Sequence, residues 1–361
     1  MTMKEEKPLD ADRLKEYLKL VFGSLGGAMT AAMIYLGDRM GLYRALAESE
    51  SATSDELATR TGLSERWLRE WLYQQGAAGI LEHEGQGRFS LGASGRAVLA
   101  DERHPAFGAG LFGSLPQQMA VLEQLPHSFE SGIGLDYDAL GPDGARGIER
   151  GFAPWVRNRL VSVVLPRVEG LAERLTAGCV VADVGCGGGV ALLEMAKAFP
   201  ASTFHGYEIS EHAIARAEQS RRERELENAS FHHALREPLP QEARFDFVTT
   251  FDCLHDMTDP LSVMSQIRSA IREDGIWLIS DIKAFDSYEE NAERNPMAAL
   301  MYGTSVVTCM SSALSEEGGL GLGTLGFSQN RAREMVSAAG FGRFEPIDFG
   351  HPVNAFYLVR P

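Results

Sequence analysis

The stretch that decides the fold is VVADVGCGGGVALLEMAKAFPASTFHGYEIS, residues 180–210. A strand-like apolar run ends in an acid and a group of glycines, and a helical pattern and a second strand-like run ending in Glu208 follow. Glycines let the backbone turn tightly and approach a ligand closely, and the N-terminus of the helix beyond them favours negative charge. The stretch therefore predicts a ligand-binding turn between a strand and a helix.

Strand and helix patterns alternate through the rest of the C-terminal part. Strands are predicted at 180–184, 203–209, 229–233, 245–251 and 275–281, and in the late stretches RFEPIDFG and AFYLVRP. Helices are predicted from about residue 155 and at 190–199, 211–225, 260–271 and 331–339. This alternation predicts an α/β fold, a doubly wound, mostly parallel, seven-stranded sheet, whose ligands bind at the carboxyl ends of the strands.

The N-terminal part has a different organisation. Helical periodicity covers 13–50, two short capped helices follow, and the segments 80–82 and 88–91 flank a glycine-containing turn. Helix, turn, helix and hairpin are typical of a winged helix. We expect a winged-helix dimerisation domain at 1–103, a helix-and-loop connector covering the active site at 104–154, and the catalytic domain at 155–361.

Composition limits the possible partners and the location. The net charge of −16 argues against a nucleic-acid surface, and four scattered cysteines fit reduced thiols in the cytoplasm. The start, MTMKEEKPLD, lacks the apolar core of a signal peptide. The apolar run 21–36 is shorter than the roughly 20 residues of a membrane span. We interpret it as a buried helix that packs closely on a neighbour, with a homodimer interface as one candidate for that contact, and expect no membrane role.

The residues around the glycine turn discriminate between nucleotide ligands. A dinucleotide turn would read G-x-G-x-x-G, but Val190 occupies the third glycine position. Asp183, just before the turn, would repel a pyrophosphate and could accept a hydrogen bond from an ammonium group. Glu208, about 20 residues on, suits the two hydroxyls of a ribose. An aminoacyl nucleoside, S-adenosylmethionine, fits this combination better than NAD or an empty structural turn.

VVADVGCGGG together with YEIS resembles the cofactor motif of class I S-adenosylmethionine-dependent methyltransferases, from about residue 155 to the C-terminus. The resemblance implies a set of cofactor-binding residues: Asp183, Gly185, Gly187, Glu208, Ile209, Ala234, Phe251 and Asp252. Many members of this family carry an acid after the third strand that binds the adenine amine. Here the stretch reads FHHALRE, so we assign that contact to the backbone at Ala234 or Leu235.

The stretch FDFVTTFDCLHDMTDP, residues 245–260, occupies the place of the catalytic residues in that family. It resembles the HDW stretch of small-molecule O-methyltransferases with a winged-helix dimerisation domain, which implies that His255 is the general base. A histidine pKa of about 6.5 suits this role at neutral pH. The alternative is that His255 orders the loop or bonds Asp259. Asp256 is the second catalytic candidate, although a capping or loop role is open for it, and Glu316 or Glu317 are candidate accessory acids.

Three aromatic residues are candidates for binding the methyl acceptor. Tyr137 and Trp155 lie just before the predicted catalytic domain, and Tyr302 lies in an apolar late helix. Simple hydrophobic packing is the alternative for each. His232 and His233 adjoin in a strand and face opposite ways, so they form no pair of metal ligands. We see no other metal-ligand spacing and predict no metal.

These observations predict a cytoplasmic, homodimeric methyltransferase that uses S-adenosylmethionine and acts on a small molecule. The acceptor atom is a hydroxyl oxygen if His255 is the base, whereas a thioether sulfur or a nitrogen would need no base. Two other functions stay open: a cofactor-sensing regulator whose winged helix binds DNA, and an enzyme that uses the same cofactor without methyl transfer.

Overall fold

The computed structural model describes residues 9–361. The first eight residues, and with them most of the charged stretch that argued against a signal peptide, lie outside the described part. The chain forms two compact units that divide between Phe112 and Gly113. The predicted connector 104–154 is therefore shared between the units, and most of it belongs to the second.

The first unit contains helices and one small hairpin. Its elements in chain order are α1 Ala11–Arg39, α2 Leu42–Ala47, α3 Ser54–Thr61, α4 Glu65–Ala77, β1 Glu82–Gly85, β2 Arg88–Ser90 and α5 Gly92–Gly95, then the π-helical turn Arg96–Ala100 and the 3-10 turn Ala109–Phe112. The α3–α4 pair and the antiparallel β1–β2 hairpin are the predicted winged helix, with a first strand that begins two residues later than predicted.

Local interactions explain where α3 begins. The Thr53 side chain accepts a hydrogen bond from the backbone N–H of Glu56, and the Glu56 side chain accepts one from the backbone of Thr53. Such reciprocal capping satisfies N–H groups that have no partner inside the helix. The apolar faces of α2, α3 and α4 then bury Leu46, Leu57 and Leu72 in one core.

The N-terminal helix corrects two expectations from the sequence. The run 21–36 is only the middle of α1, a helix of 29 residues, so the argument that it is too short to span a membrane was wrong: α1 is long and apolar enough by length and composition. The predicted burial holds within the chain only for the later part of the run, because Phe22 and Leu25 are 66% and 60% exposed whereas Ile34 is buried. The glycines in the run are compatible with helix, and the positions beside them are open.

The second unit contains the remaining elements. Its helices are α6 Leu115–Ala120, α7 Leu125–Ser131, α8 Gly141–Trp155, α9 Leu171–Ala177, α10 Val190–Ala198, α11 Glu211–Glu223, α12 Pro260–Ala270, α13 Tyr288–Arg294, α14 Ala298–Val307, α15 Cys309–Ala313 and α16 Gln329–Ala338. Its strands are β3 Val180–Val184, β4 Thr203–Glu208, β5 Ala229–His233, β6 Phe245–Phe251, β7 Ile271–Ile282, β8 Arg343–Ile347 and β9 Asn354–Arg360. Short 3-10 or π-helical turns cover Val121–Glu123, Tyr137–Leu140, Val156–Val164, Leu165–Arg167 and Leu254–Asp256.

The strands of this unit form the predicted seven-stranded sheet, in the order β5-β4-β3-β6-β7-β9-β8. Strands β3 to β7 pair in parallel, and β9 and β8 pair antiparallel at one edge. The strand order reverses between β3 and β6. In doubly wound sheets the ligand binds at such a switch point, beyond the carboxyl ends of the strands.

Apolar side chains cover both faces of the sheet and form two separate cores. One core contains Val181, Phe247 and Leu278, and the other contains Val248 and Trp277. Alternate residues of a strand point to opposite faces, so Val181 and Ala182, or Phe247 and Val248, divide between the two cores. A sheet buried on both faces explains why its strands read as continuous apolar runs.

Most predicted boundaries in this unit agree with the structure within one or two residues, but three do not. Strand β8 ends at Ile347, three residues before the end of the predicted stretch RFEPIDFG. The helix expected from residue 155 begins earlier, at Gly141, and at Val156 it continues into a π-helical stretch; glycines and a proline in α8 obscured its periodicity. Strand β7 begins at Ile271, four residues before the predicted start, because charged residues hid its first part.

Candidate active site

The glycine turn lies between β3 and α10, at the switch point of the sheet. The backbone N–H groups of Gly185 and Cys186 both donate to the carbonyl of Tyr207, at 2.8 and 3.1 Å, so the turn is fixed to the end of β4. Gly185 has a φ of +70°, and a Cβ there would lie 2.7 Å from the Cys253 side chain. Only glycine fits both the backbone conformation and the space at this position.

Asp183 lies at the end of β3 and is almost fully buried. Its Oδ1 accepts a hydrogen bond of 2.7 Å from the hydroxyl of Thr249 on β6. Burial raises the pKa of Asp183 to about 7, although the Thr249 bond opposes the shift. A buried carboxyl with one partner and a raised pKa is stabilised in its charged form by a cationic ligand group.

Glu208 ends β4 and faces the glycine turn. One of its oxygens accepts from the backbone N–H of Gly187 at 2.8 Å, and the other accepts from Ile209 and Ser210 at 2.7 and 2.9 Å. These bonds orient the carboxylate beside the turn, while burial raises its pKa. Asp183, the turn and Glu208 therefore lie together as the sequence predicted, with a carboxylate at each end of a glycine cradle.

Glu149 is a carboxylate at this turn that the sequence analysis missed. A Cβ on Gly188 would lie 3.0 Å from its Oε2, and its carboxylate pairs with Arg216 of α11 at 2.9 Å. Glu149 belongs to α8, about 40 residues before the turn in the chain. No local pattern could have related it to the glycines.

His255 lies in the 3-10 turn after β6 and is 2% exposed. Its Nδ1 is 2.6 Å from Oδ1 of Asp281, a fully buried residue near the end of β7. The sequence analysis considered Asp259 as a partner, but Asp259 caps α12 through the backbone N–H of Ser262. Asp281, the acid that ends the apolar run IWLIS, is the carboxylate that orients His255, and neighbouring parallel strands bring the two together.

The charges around His255 decide its protonation. Burial by itself lowers the pKa of His255, but the negative charges of Asp281 and Cys309 outweigh it and hold the pKa well above its ordinary value. Asp252, at the end of β6, has its pKa raised to about 7 by burial and by Asp281. Burial raises the pKa of Asp256 well above the ordinary range of a carboxyl.

Cys309 is a second residue of the site that sequence reasoning missed. It begins α15, a helix that packs against the turn carrying His255. Burial raises the pKa of its thiol, but the charge of His255 and hydrogen bonds to it lower the value to about 7. Cysteine at this position lies more than 50 residues beyond His255, so spacing along the chain gave no signal.

Tyr137 lies in the 3-10 turn before α8, within range of the charges of the site. Burial and the negative charges of Asp256 and Cys309 raise the pKa of its hydroxyl well above the ordinary value, and Glu208 adds to the effect. Tyr137 thus lies near both the catalytic candidates and the cofactor carboxylate. Its neighbour Asp138 accepts hydrogen bonds from the Ser210 hydroxyl and from the backbone N–H of Glu211 at 3.1 Å, which fix the turn to the start of α11.

The other predicted residues lie in three places. Trp155 stacks on Phe356 with ring centroids 5.7 Å apart and meets Phe251 edge-on at 6.1 Å, so an aromatic cluster covers the end of β6. The Ala234 backbone N–H donates to the carbonyl of Glu208 at 2.8 Å. Tyr302 lies beside Tyr288 and packs against a small apolar cluster formed with α14.

The candidate accessory acids are exposed. Glu316 and Glu317 border an open cavity of about 590 Å³ together with Asp259, Arg331 and Glu334. Asp281, not either glutamate, makes the observed bond to His255.

The comparisons with known proteins agree with this geometry. Residues 175–340 match the family model of a methyltransferase domain, and residues 28–100 match that of an Rv2258c-like winged helix-turn-helix domain. No curated protein sequence matches the chain.

Solved structures share the fold over almost the whole chain. Mitomycin 7-O-methyltransferase has 18% sequence identity and a TM-score of 0.69, covering 98% of this chain and 100% of its own. A putative O-methyltransferase from Nostoc punctiforme has 14% identity and a TM-score of 0.73, covering 95% and 98%. Human N-acetylserotonin methyltransferase, solved with S-adenosylmethionine, has 16% identity and a TM-score of 0.68, covering 99% of both chains.

The fold, the matched domains and the acid–glycine–acid arrangement at the switch point lead to one assignment. The chain combines a methyltransferase domain with an N-terminal winged helix-turn-helix domain.

Proposed function

We propose that the protein transfers the methyl group of S-adenosylmethionine to a hydroxyl oxygen of a small molecule, with His255 as the general base. The observation that carries the proposal is the 2.6 Å contact between His255 and the buried Asp281, beside the glycine turn. A histidine held by a buried carboxylate is the arrangement that acid–base catalysis uses to orient an imidazole. The O-methyltransferase fold of the similar structures supports this choice of acceptor atom.

The residues at the switch point fit the cofactor. Asp183 would take its ammonium group, the turn at Gly185 and Gly187 would accommodate the chain next to it, and Glu208 would take the ribose hydroxyls. When bound, S-adenosylmethionine supplies a methyl group activated by a positively charged sulfur. Ile209, Ala234, Phe251 and Asp252 stay predicted contacts around it. The backbone at Ala234 or Leu235 is proposed for the adenine edge, although the Ala234 N–H already donates to the carbonyl of Glu208.

The protein's own part in the reaction is to position the acceptor and remove its proton. The Nδ1–H of His255 donates to Asp281, so Nε2 is the nitrogen that we propose takes the proton of the acceptor hydroxyl. Because the surrounding charges hold the pKa of His255 well above its ordinary value, Nε2 must lose its own proton before it can act as the base. The charge of Asp281 stabilises the imidazolium that forms. We propose that Tyr137 closes over the acceptor and excludes water, and that Trp155 and Tyr302 form parts of the acceptor pocket. Asp256 is proposed as a polar contact next to the base.

The test replaces His255 with alanine or glutamine and measures release of adenosylhomocysteine with simple phenols, thiols and amines as probes. We expect phenol turnover to fall about 10²–10⁴-fold, with the Kd of adenosylhomocysteine unchanged. His127→Ala removes an exposed histidine and serves as the control. Near-normal phenol turnover by His255→Ala would refute the base, and wild-type turnover of thiols or amines but of no phenol would refute the oxygen acceptor.

We also propose that the winged helix serves dimerisation and not DNA binding. On α4, Arg66 pairs with Glu70 at 2.5 Å and Arg69 pairs with Glu65 at 3.3 Å. Arginines neutralised within their own helix contribute little to phosphate binding, which dominates DNA affinity. The exposed apolar side chains of α1 support a homodimer. The proposed location is the cytoplasm, for which the four free cysteines give support.

A further inference from the structure

Side chains from two separate elements converge at the base. His255 and Asp256 come from the 3-10 turn after β6, and Cys309 comes from the start of α15. One nitrogen, one oxygen and one sulfur donor atom of these residues lie within 4.8 Å of one another. The function proposed above uses His255 and gives Cys309 no role.

We propose that His255, Asp256 and Cys309 form a binding site for one thiophilic divalent cation of the Zn²⁺ class. Zinc binds sulfur at about 2.3 Å and nitrogen or oxygen at about 2.0–2.2 Å, usually with tetrahedral geometry. Donor atoms in such a site lie roughly 3–4 Å apart, as follows from those bond lengths. Donor atoms already within 4.8 Å reach these positions by small side-chain rotations.

The surroundings of His255 match those of a histidine that binds a metal. Such a histidine normally gives its second ring nitrogen to a carboxylate, which fixes the ring and strengthens the ligand. The Nδ1 of His255 meets Asp281 at 2.6 Å, so Nε2 is the nitrogen available to a cation. The second oxygen of Asp281 is buried and has no hydrogen-bond partner, which leaves negative charge in the site that a cation would offset.

The donor set also selects the metal. A thiolate with an imidazole favours zinc and similar thiophilic ions, whereas Mg²⁺ and Ca²⁺ prefer all-oxygen ligands. Three protein ligands leave a fourth position open, as in catalytic zinc sites. Asp252, Asp256 and Asp281 surround the one imidazole, and this excess of acids favours a divalent charge.

If His255 is the base, as proposed above, a cation bound at this site inhibits the reaction. The cation takes the Nε2 lone pair that would otherwise accept the proton of the acceptor. Bound Zn²⁺ therefore inhibits methyl transfer to a hydroxyl, and a chelator restores it. Binding itself involves neither the cofactor nor the acceptor, so it is measured independently of the reaction.

The decisive experiment adds Co²⁺ to the reduced, metal-free, full-length protein and records its absorption spectrum. We expect one Co²⁺ per chain, the visible bands of tetrahedral cobalt and the near-ultraviolet band of a thiolate–cobalt bond. Zn²⁺ added in equal amount abolishes both. In Cys309→Ala and in Cys309→Ser the thiolate band disappears, whereas it stays in Cys179→Ala, which removes a buried thiol at the start of β3.

Two further variants distinguish a cation site formed by all three residues from binding of the metal to the Cys309 thiol alone. Asp256→Asn removes the oxygen ligand and Asp281→Asn weakens the support of His255, so each lowers the affinity for Zn²⁺, about 10–100-fold for the second. Far-ultraviolet circular dichroism and thermal melting confirm that each variant is folded. A wild-type spectrum without the thiolate band, or a band that survives in folded Cys309→Ala, overturns the site. If the site binds but His255→Ala methylates phenols normally, only the proposed base fails.

Discussion

Asp183 makes cofactor affinity sensitive to pH. Its pKa is raised to about 7 by burial, so it is about 10% ionised at pH 6 and about 90% ionised at pH 8. Only the ionised form attracts the ammonium group of the cofactor. We therefore expect the affinity for adenosylhomocysteine to rise about 10-fold from pH 6 to pH 8, measured by calorimetry.

The control for this prediction is Asp183→Asn, which binds adenosylhomocysteine more weakly and whose affinity hardly changes with pH.

The stability of the free protein changes with pH in the opposite direction to the affinity. Between the unfolded pKa of about 3.9 and the folded pKa of about 7, the folded state holds more protons than the unfolded state, so stability of the free protein falls as pH rises. A wild-type affinity that is flat or that falls between pH 6 and pH 8 would contradict the role given to Asp183.

At the residue scale, the sequence predicted the groups that lie next to one another in the chain. Asp183, the glycines and Glu208 form a local pattern of strand, turn, helix and strand, and the structure brings them together. Asp281 and Cys309 were missed because folding, and not sequence spacing, places them beside His255. Asp281 had one weak signal: it is an acid that ends an apolar strand next to the strand of His255.

At the element scale, the turn Tyr137–Leu140 lies near the site residues Asp256 and Glu208 and is held to the start of α11 by Asp138. Loss of the Asp138 carboxylate removes both bonds and leaves Tyr137 on a freer turn. We expect Asp138→Ala to dissociate adenosylhomocysteine faster, several-fold by stopped-flow fluorescence, because a cover with fewer anchors opens more often.

Stability distinguishes this effect from general unfolding. Loss of a helix-capping bond costs about 0.5–2 kcal/mol, which lowers Tm by a few degrees at most in a chain of this size. Asp143→Ala, a change in the first turn of α8, is the matched control. An unchanged dissociation rate in Asp138→Ala would show that the turn does not restrain the cofactor.

The sequence predicted best those elements whose hydrophobic pattern matches their burial in the fold. Strands β3 and β6 have the predicted bounds because both faces of the sheet are buried there and each strand is mostly apolar. Helices α1 and α8 were predicted less well, since their glycines and, in α8, Pro154 interrupt the periodicity while the backbone stays helical. The exposed apolar residues on α1 show that hydrophobic periodicity predicts a helix but does not predict whether its apolar face is buried within the chain.

At the scale of the whole molecule, α1 gives the surface through which two copies would associate. Val21 and Phe22 lie three and four residues after Leu18, Leu25 lies four and three residues after them, and Met29 lies four residues after Leu25. This spacing places the five side chains on one face of the helix, and each is about half exposed or more. A continuous apolar stripe of this kind marks an interaction surface. Paired α1 helices would bury it.

We expect the 39.4 kDa chain to be a dimer by light scattering at micromolar concentration, and Phe22→Glu with Leu25→Glu to convert it to a monomer because two charges enter the apolar interface. Leu20→Glu, on the opposite face of α1 and equally exposed, keeps the dimer. The same helix is long and apolar enough to cross a membrane, so flotation with phosphatidylcholine vesicles accompanies the measurement. A monomeric wild type that floats with vesicles, and a double variant that does not, would assign the stripe to lipid and refute the dimer.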